Sequence, residues 1–472
     1  MKILLIRPFT DSTVGNSPPL AIMYISSYLK SKNMDVVLVD NCIDVTAMSS
    51  FSLSNNRIRE LVNEIDCHRP QIIGMTLFSS ELKKISKLCK VFKEKFGQVY
   101  IVLGGPHPTA MPQETLEQIP ECDFVVRGEG EHTVYDLINT LSDGEDLRKL
   151  KGISFRTNDN GGIFNCLDAN TITNLDEIPF PDRLSLMENY RKGKYSSILY
   201  GNPSDCIMTS RGCPLACKFC FKIEDQYRSR SVENVLQELE WIMENIRPQS
   251  IQVMDDTFTA QRMRCSQILD AIIERKYKCS FKVRSRVNST NEKLLKKMKL
   301  AGVDTIVYGL ESGSQKMLDA FNKKTKVAQN KKACQLTKKA GINCLGDMIL
   351  FYPGENRETL KETEEFLKET KPTAVKFYIL TPLPRTEVYE EAKKNGSLMG
   401  GWNIDDESPW IKLDDFKDIT EMEKIANRMF IKYMLTPDRI VWFFNSFVKV
   451  LFLNPIFSLK VVFYALMKKR KY

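Results

Sequence analysis

Along the first 145 residues, short apolar runs alternate with amphipathic stretches. Lys2 to Ile6, Val36 to Val39, Ile72 to Met75, Tyr100 to Leu103 and Phe124 to Val126 read as strands. Leu20 to Lys30 and Glu81 to Phe96 carry helical spacing between them. Strands alternating with helices predict an α/β fold, a doubly wound Rossmann-like, flavodoxin-like parallel sheet with its ligand crevice at the strand carboxyl ends. The loops at that crevice are Pro8 to Pro19, Thr76 to Ser80, Gly104 to Thr109 and Arg127 to Glu131.

From Lys151 the pattern changes. Gly152 to Arg156, a turn at Asn158-Asp159-Asn160-Gly161-Gly162, and Ile163-Phe164 predict a hairpin, and Leu175 to Pro181 a proline-stiffened linker. Packing between domains accounts for this stretch. Six strands then alternate with helices: Cys206 to Thr209, Ser250 to Met254, Phe281 to Arg284, Thr305 to Gly309, Cys344 to Leu350 and Ala374 to Leu380, with Val232 to Ile246 and Asn291 to Leu300 among the helices. Six such units predict a partial (β/α)6 barrel, open on one side, with its chemistry on the loops at the strand carboxyl ends. Beyond Trp402 the pattern is helical and increasingly apolar. These shifts mark off residues 1–145, a hairpin and linker at 146–200, a barrel at 201–398 and a helical C-terminal region at 399–472.

The 472 residues, 43% hydrophobic and 27% charged, suffice for two or three domains with large cores. Of the net charge of +9, most lies after residue 430, where eight Lys or Arg stand against Asp438 alone. The body is therefore nearly neutral and lacks the basic, aromatic-interleaved face of a nucleic-acid binder. Thirteen cysteines, with an opening Met1 to Arg7 that reads as a strand and has no extended apolar run, point to a reducing cytoplasm.

Three of those cysteines sit together in Arg211-Gly212-Cys213-Pro214-Leu215-Ala216-Cys217-Lys218-Phe219-Cys220, spaced C-x3-C-x2-C. Structural zinc takes four ligands, and His68, His107 and His132 all lie far upstream. A [4Fe-4S] cluster on three thiolates leaves one iron open to a further ligand. A zinc knuckle, a redox dithiol and incidental core cysteines are the competing readings. The loop and its flanking motifs resemble the cobalamin-binding class of radical S-adenosylmethionine (SAM) enzymes, over nearly the whole chain. The resemblance implies that Cys213, Cys217 and Cys220 ligate three irons while SAM chelates the fourth, and that one electron then releases a 5'-deoxyadenosyl radical.

Each barrel strand ends in a motif that the resemblance explains. A carboxylate or backbone carbonyl of Asp255 and Asp256, after the second strand, would receive the methionine ammonium, and Arg284-Ser285-Arg286 offers a guanidinium for the carboxylate, Arg286 before Arg284. Glu311 in Gly309-Leu310-Glu311-Ser312-Gly313 looks like the ribose and methionine contact. Ile349 and Leu350, before Phe351-Tyr352-Pro353-Gly354, are similar to the strip on which adenine packs, with Phe219 on another edge. Tyr378 would touch adenine or substrate, or belong to the core.

In the first domain, Thr76, Ser79, Ser80, Gly104, Gly105, Pro106, His107, Arg127, Gly128 and Glu129 resemble the loops of a cobalamin-binding domain. Paired glycines would let a large flat ligand approach the backbone. The family's Asp-x-His-x-x-Gly motif is missing from the first loop. Asp66-Cys67-His68 has its first half but reads as a helix end, which leaves His107 as a lower cobalt ligand or a turn histidine, or a cobalt with no protein ligand.

The resemblance implies C-methyl transfer to an unactivated carbon through methylcobalamin and the deoxyadenosyl radical. Ring formation or carbon–carbon coupling with the same cofactors is the alternative, and a sensor without turnover a remote one. It also implies a small-molecule or lipid substrate and an electron donor such as flavodoxin or ferredoxin. The tail interrupts its apolar runs at Lys449, Asn454-Pro455 and Lys460, so none reaches the roughly 18 to 20 residues of a spanning helix. It reads equally as a helix on the inner membrane surface, which favours a lipid or isoprenoid substrate, and as a cap on the barrel.

Overall fold

The computed structural model describes residues 1–441 apart from 9–15, 43–54, 158–160, 197–202, 225, 407 and 438. It divides into two compact units, the first built on Met1–Ser197 with Trp402–Glu407, the second on Ile198–Gly401 with the described residues from Ser408 onward.

The first unit runs β1 (Lys2–Arg7), α1 (Leu20–Ser31), β2 (Asp35–Asp40), α2 (Asn55–Asp66), β3 (Ile72–Thr76), α3 (Leu82–Phe96), β4 (Tyr100–Gly104), α4 (Pro106–Ala110), α5 (Pro112–Gln118), β5 (Phe124–Val126), α6 (Gly130–Asp143), β6 (Ile153–Arg156), β7 (Ile163–Asn165) and α7 (Met187–Arg191). Its sheet has the order β2-β1-β3-β4-β5-β6-β7. The first five strands are parallel, with Leu5 between Leu38 and Gly74. The order reverses at β1, which puts the crevice outside the carboxyl ends of β1 and β3. Leu4, Ile6, Ile73, Met75, Ile101 and Leu103 pack against Leu61 and Ile65 of α2 and Ile85, Leu88 and Phe92 of α3.

The hairpin is not merely a connection. β6 pairs antiparallel with β5, and β7 with β6, so they extend this sheet at its edge. The following linker also packs here: Asp182 accepts from Ser26 Oγ at 2.6 Å and Lys30 Nζ at 2.7 Å, and Tyr195 donates to Asp40 at 2.5 Å. Asp66-Cys67-His68 is the end of α2, as its sequence suggests.

The second unit comprises β8 (Ser204–Ile207), β9 (Ser210–Arg211), β10 (Arg228–Ser229), α8 (Val232–Asn245), β11 (Ser250–Val253), α9 (Arg262–Arg275), β12 (Ser280–Ser285), α10 (Glu292–Leu300), β13 (Val303–Glu311), α11 (Gln315–Ala320), α12 (Val327–Lys339), β14 (Asn343–Leu350), α13 (Arg357–Thr370), β15 (Ala374–Ile379), α14 (Glu387–Lys394), β16 (Leu398–Met399), β17 (Trp410–Ile411) and α15 (Ile419–Met434). Its six-stranded sheet is wholly parallel in sequential order, β8-β11-β12-β13-β14-β15, with β8 and β15 at open edges, a partial barrel. Alternate residues Phe281 and Val283, Ile306 and Tyr308, Cys344 and Met348 point outward into the helical layer of Leu239, Ile268, Leu295, Cys334 and Phe366. The intervening residues line the inner face.

Among the described residues no helix is long and apolar enough to cross a membrane. The apolar and basic tail from Trp442 lies outside the described residues, as does part of the Pro8 to Pro19 loop.

Candidate active site

The cysteine loop leaves β9 and returns through β10, and the two pair antiparallel across its neck. Gly212 makes the turn possible: its φ is +76°, and a Cβ would lie 2.3 Å from the Gln226 carbonyl oxygen. The neck rests on Asp255, which is 1% exposed. One carboxylate oxygen accepts from Thr209 N at 2.6 Å and Ser210 N at 3.1 Å, the other from Thr209 Oγ1 at 2.6 Å and Ser210 Oγ at 2.7 Å. Every lone pair is thereby used. Arg264 joins this clamp through Thr209 O at 2.8 Å and Arg230 O at 2.6 Å, and Arg230 pairs with buried Glu238.

This corrects the expectation for the paired aspartates. The Asp255 carboxylate holds the loop and is spent there, so only its backbone carbonyl is left as a ligand acceptor. Asp256 is the exposed one, within electrostatic reach of Arg284 and Lys222.

The far side of the loop is stapled to the segment after α11. Lys218 N donates to Phe321 O at 3.1 Å, Asn322 Nδ2 to Ala216 O at 2.6 Å, and Lys218 Nζ pairs with Glu387 at 2.5 Å. That segment delivers Lys323, which the sequence reading missed. Its ammonium lies 2.6 Å from Glu311 and 5.8 Å from the Phe219 ring centroid. Burial opposes the Lys323 charge, but Glu311 and then Cys217 outweigh it and raise its pKa. Glu311 sits at φ 61° beside a register shift in β13, and a Cβ on Gly309 would come within 2.3 Å of its carboxylate. Gly309 therefore makes room for the pair. A lysine three residues beyond a helix carries no local signal of this contact.

Arg286, 8% exposed, donates to the Lys323 carbonyl, and its Nε is buried with no hydrogen-bond partner among the described residues. Burial pushes the Cys217 thiol above its ordinary pKa, while Lys323 and Arg286 pull it back. Cys213, Cys217 and Cys220 are near enough to feel one another's charge, and none is fully buried. Among the described residues no three His, Cys, Asp or Glu side chains converge as on a single metal ion. A cubane makes no such demand, since each thiolate takes its own iron.

Ile349 and Leu350 cannot both face a ligand. Successive strand residues point to opposite faces: Ile349, in register with Tyr378, takes the inner face, while Leu350 is fully buried. Both belong to one buried cluster, and alternation turns Leu350 away from the face that Ile349 shares with Tyr378, which removes Leu350 from the site. Tyr378 is 42% exposed and stands outside the core. The turn after β14 is held by Glu355, which accepts from Phe351 N where Phe351 adopts φ 65°.

In the first unit the crevice loops behave differently. Arg127 sends its guanidinium to Asp168 at 2.8 Å and to the carbonyls of Cys166 and Leu167, and Glu129 accepts from Ile172 N at 3.1 Å. Both tie the linker to the sheet, so neither side chain is placed as a ligand contact. Gly105, at φ 103°, is required because a Cβ would lie 2.8 Å from Thr76 Cγ2, and Gly128 N donates to Thr109 Oγ1 at 3.1 Å. The loops after β3, β4 and β5 are thus knitted together. His107 N bonds Leu77 O at 3.2 Å and its Nδ1 lies 3.0 Å from Ser79 Oγ, while Nε2 is buried without a hydrogen-bond partner among the described residues. Burial lowers its pKa to about 4, so the ring is neutral. Phe78, 51% exposed, stands on the same loop as Ser79 and Ser80.

Residues 207–367 match the Radical SAM superfamily and residues 6–138 the B12 binding domain. The chain is 32% identical to "Uncharacterized methyltransferase PH0819" of Pyrococcus horikoshii, over 93% of this chain and 94% of that protein. The chain belongs to the cobalamin-binding radical SAM enzymes. It is also 26% identical to the anaerobic magnesium-protoporphyrin IX monomethyl ester cyclase of Rubrivivax gelatinosus, over 93% of this chain and 80% of that one. The fold matches the structure of the radical SAM methyltransferase TsrM of Kitasatospora setae with cobalamin and [4Fe-4S] cluster bound, at TM-score 0.67 and 17% identity, covering 85% of this chain and 77% of that chain.

As a cobalamin-binding radical SAM enzyme it uses a [4Fe-4S] cluster, SAM and cobalamin. The residues present fit such groups. The loop offers three mutually close thiols, a buried Arg286 with an unused donor adjoins it, and the first-unit loops carry a buried neutral imidazole with an unused nitrogen.

Proposed function

We propose that this enzyme methylates an unactivated carbon of a small organic substrate. The similarity that carries this reading is the 32% identity, nearly end to end, to a protein named as a methyltransferase. The cluster and SAM would supply a 5'-deoxyadenosyl radical and cobalamin a transferable methyl group. Cys213, Cys217 and Cys220 hold the cluster. Arg286 takes the SAM carboxylate, Asp256 and the Lys323-paired Glu311 take the ammonium and ribose hydroxyls, and Phe219, Ile349 and Tyr378 border the adenine. Thr76, Ser79, Ser80, Gly104, Gly105, Pro106, His107 and Gly128 would receive cobalamin, with His107 Nε2 the nitrogen offered to cobalt. A small flavin or iron–sulfur protein delivers the electron.

The second reading, ring formation without methyl transfer, is favoured by the 26% identity to the cyclase. A product count on anaerobically reconstituted enzyme with a strong reductant separates the two. S-adenosylhomocysteine together with 5'-deoxyadenosine is the expected result, and deoxyadenosine alone, in cobalamin-loaded protein, moves the assignment to the cyclase.

A further inference from the structure

The inner face of a (β/α) barrel is ordinarily filled by branched apolar side chains. Here it carries a band of charge. On β12, Phe281 and Val283 point into the helical core, so Lys282 and Arg284 point inward. On β14 and β15, Cys344, Met348 and Val375 are core residues, which turns Asp347 and Lys376 inward, side by side in register. Asp347 is also in register with Gly309 of β13, and Arg284 reaches across that strand to Asp347 at 3.4 Å. Lys376 Nζ lies 5.2 Å from the centroid of the Tyr378 ring. Arg284 is 48% exposed in its side chain and Asp347 18%, so the band is open to a ligand.

Lys282 feels the cations Arg284 and Lys376 and, against them, the carboxylates Asp347 and Asp304. Burial and then Arg284 lower the Lys282 pKa to about 8 in the face of Asp347, with Lys376 adding to the fall and Asp304 opposing it. An anion held among these cations would relieve the repulsion that Arg284 and Lys376 impose on Lys282.

We propose that the Arg284, Lys282 and Lys376 band seats an anionic group of the substrate, a carboxylate or a phosphate. Arg284 offers a planar fork, the lysines two point charges, and Tyr378 a flat ring beside them. Gly309, in register with Asp347 and Lys376, is also the residue that makes room for Glu311 and Lys323. A substrate anchored by its charge would therefore present its carbon skeleton toward the proposed SAM site. This rests on the proposed function and deepens it: it favours a charged substrate over a bare isoprenoid.

Lysine acylation read by peptide mass spectrometry tests the seat without requiring turnover. The reconstituted enzyme is acylated near pH 8 at constant ionic strength, with and without inorganic phosphate or propionate, and Lys282 and Lys376 are compared with exposed Lys296. At ten times its half-protecting concentration, an anion that binds should slow acylation of Lys282 about tenfold and leave Lys296 unchanged. Arg284→Met, a half-exposed position whose loss leaves the core intact, should abolish that protection. Stronger protection by phosphate identifies a phosphorylated substrate class, and stronger protection by propionate a carboxylate one. Lys282 acylated equally fast with either anion, or protection unchanged in Arg284→Met, overturns the proposal. Because labelling does not depend on 5'-deoxyadenosine formation, the seat can fail while the proposed function stands, and the reverse.

Discussion

The cysteine loop of the barrel and the crevice loops of the first unit both lie at the carboxyl ends of parallel strands, yet they convert sequence into a site differently. In the barrel, ligands lie within eight residues of one another, and supports arrive from β11, the segment after α11 and β12. In the first unit, the charged residues that look most like ligand contacts, Arg127 and Glu129, are spent on holding residues 166–172. What remains there is backbone, hydroxyls and one buried imidazole. A site made of covalent ligands is legible as spacing, whereas one made of shape and backbone is not.

The largest expected effect falls on the local ligands. Replacing Cys217 by Ser should reduce cluster absorbance and deoxyadenosine formation to background while cobalamin uptake continues. A variant that still cleaves SAM would break the comparison at its stronger side.

Next comes the clamp beneath that loop. Asp255→Ala leaves four donors without their acceptor and should cost on the order of 3 kcal/mol, seen as a lower denaturant midpoint. Asp256→Ala, at an exposed position, should change stability by about 0.5 kcal/mol or less and raise the KM for SAM. Equal stability losses would show that the two aspartates are not divided between support and ligand.

Glu355 gives a pH signature confined to the barrel. Burial raises its pKa from 4.5 to about 8, and only the backbone hydrogen bonds oppose it. The folded state therefore keeps a proton that the unfolded state releases at lower pH. The stability this contributes is complete below about pH 4.5 and is lost as pH rises toward about 8. Glu355→Gln should flatten that fall, a difference on the order of 3 kcal/mol between pH about 5 and about 8 in urea titrations. Parallel curves for the two proteins would show that the carboxyl is ionised in the folded state.

The smallest effect sharpens the other side. Arg127→Met should leave cobalamin affinity near that of the parent and lower the melting temperature by a few degrees, as expected for about 1 to 2 kcal/mol in a unit of this size. His107→Ala should do the opposite, weakening cobalamin binding and altering its absorption spectrum more than the melting temperature. A reversal of these two would restore Arg127 as a ligand contact.

The hairpin at 153–165 shows where legibility stops. Its turn chemistry is evident in Asn158 to Gly162, but which sheet it joins depends on β5 offering a free edge. Ile349 and Leu350 show the same limit at the scale of one peptide. Both are apolar, adjacent and buried, and only the tertiary strand pairing shows which of them shares a face with Tyr378.

The α/β alternation, the parallel strands of both units, the partial barrel and the cysteine triplet are legible in the chain alone, because strand period, helix period and ligand spacing are local and survive without knowledge of neighbours. The tertiary structure decided that Lys323 meets Glu311, that Asp255 turns under the loop while Asp256 faces outward, that Arg127 leaves the crevice, and that Lys282, Arg284 and Lys376 share one inner face. Each of those depends on strand parity, burial or a contact between residues distant in the chain. Their energetic consequences arise only when the groups are brought together and removed from water.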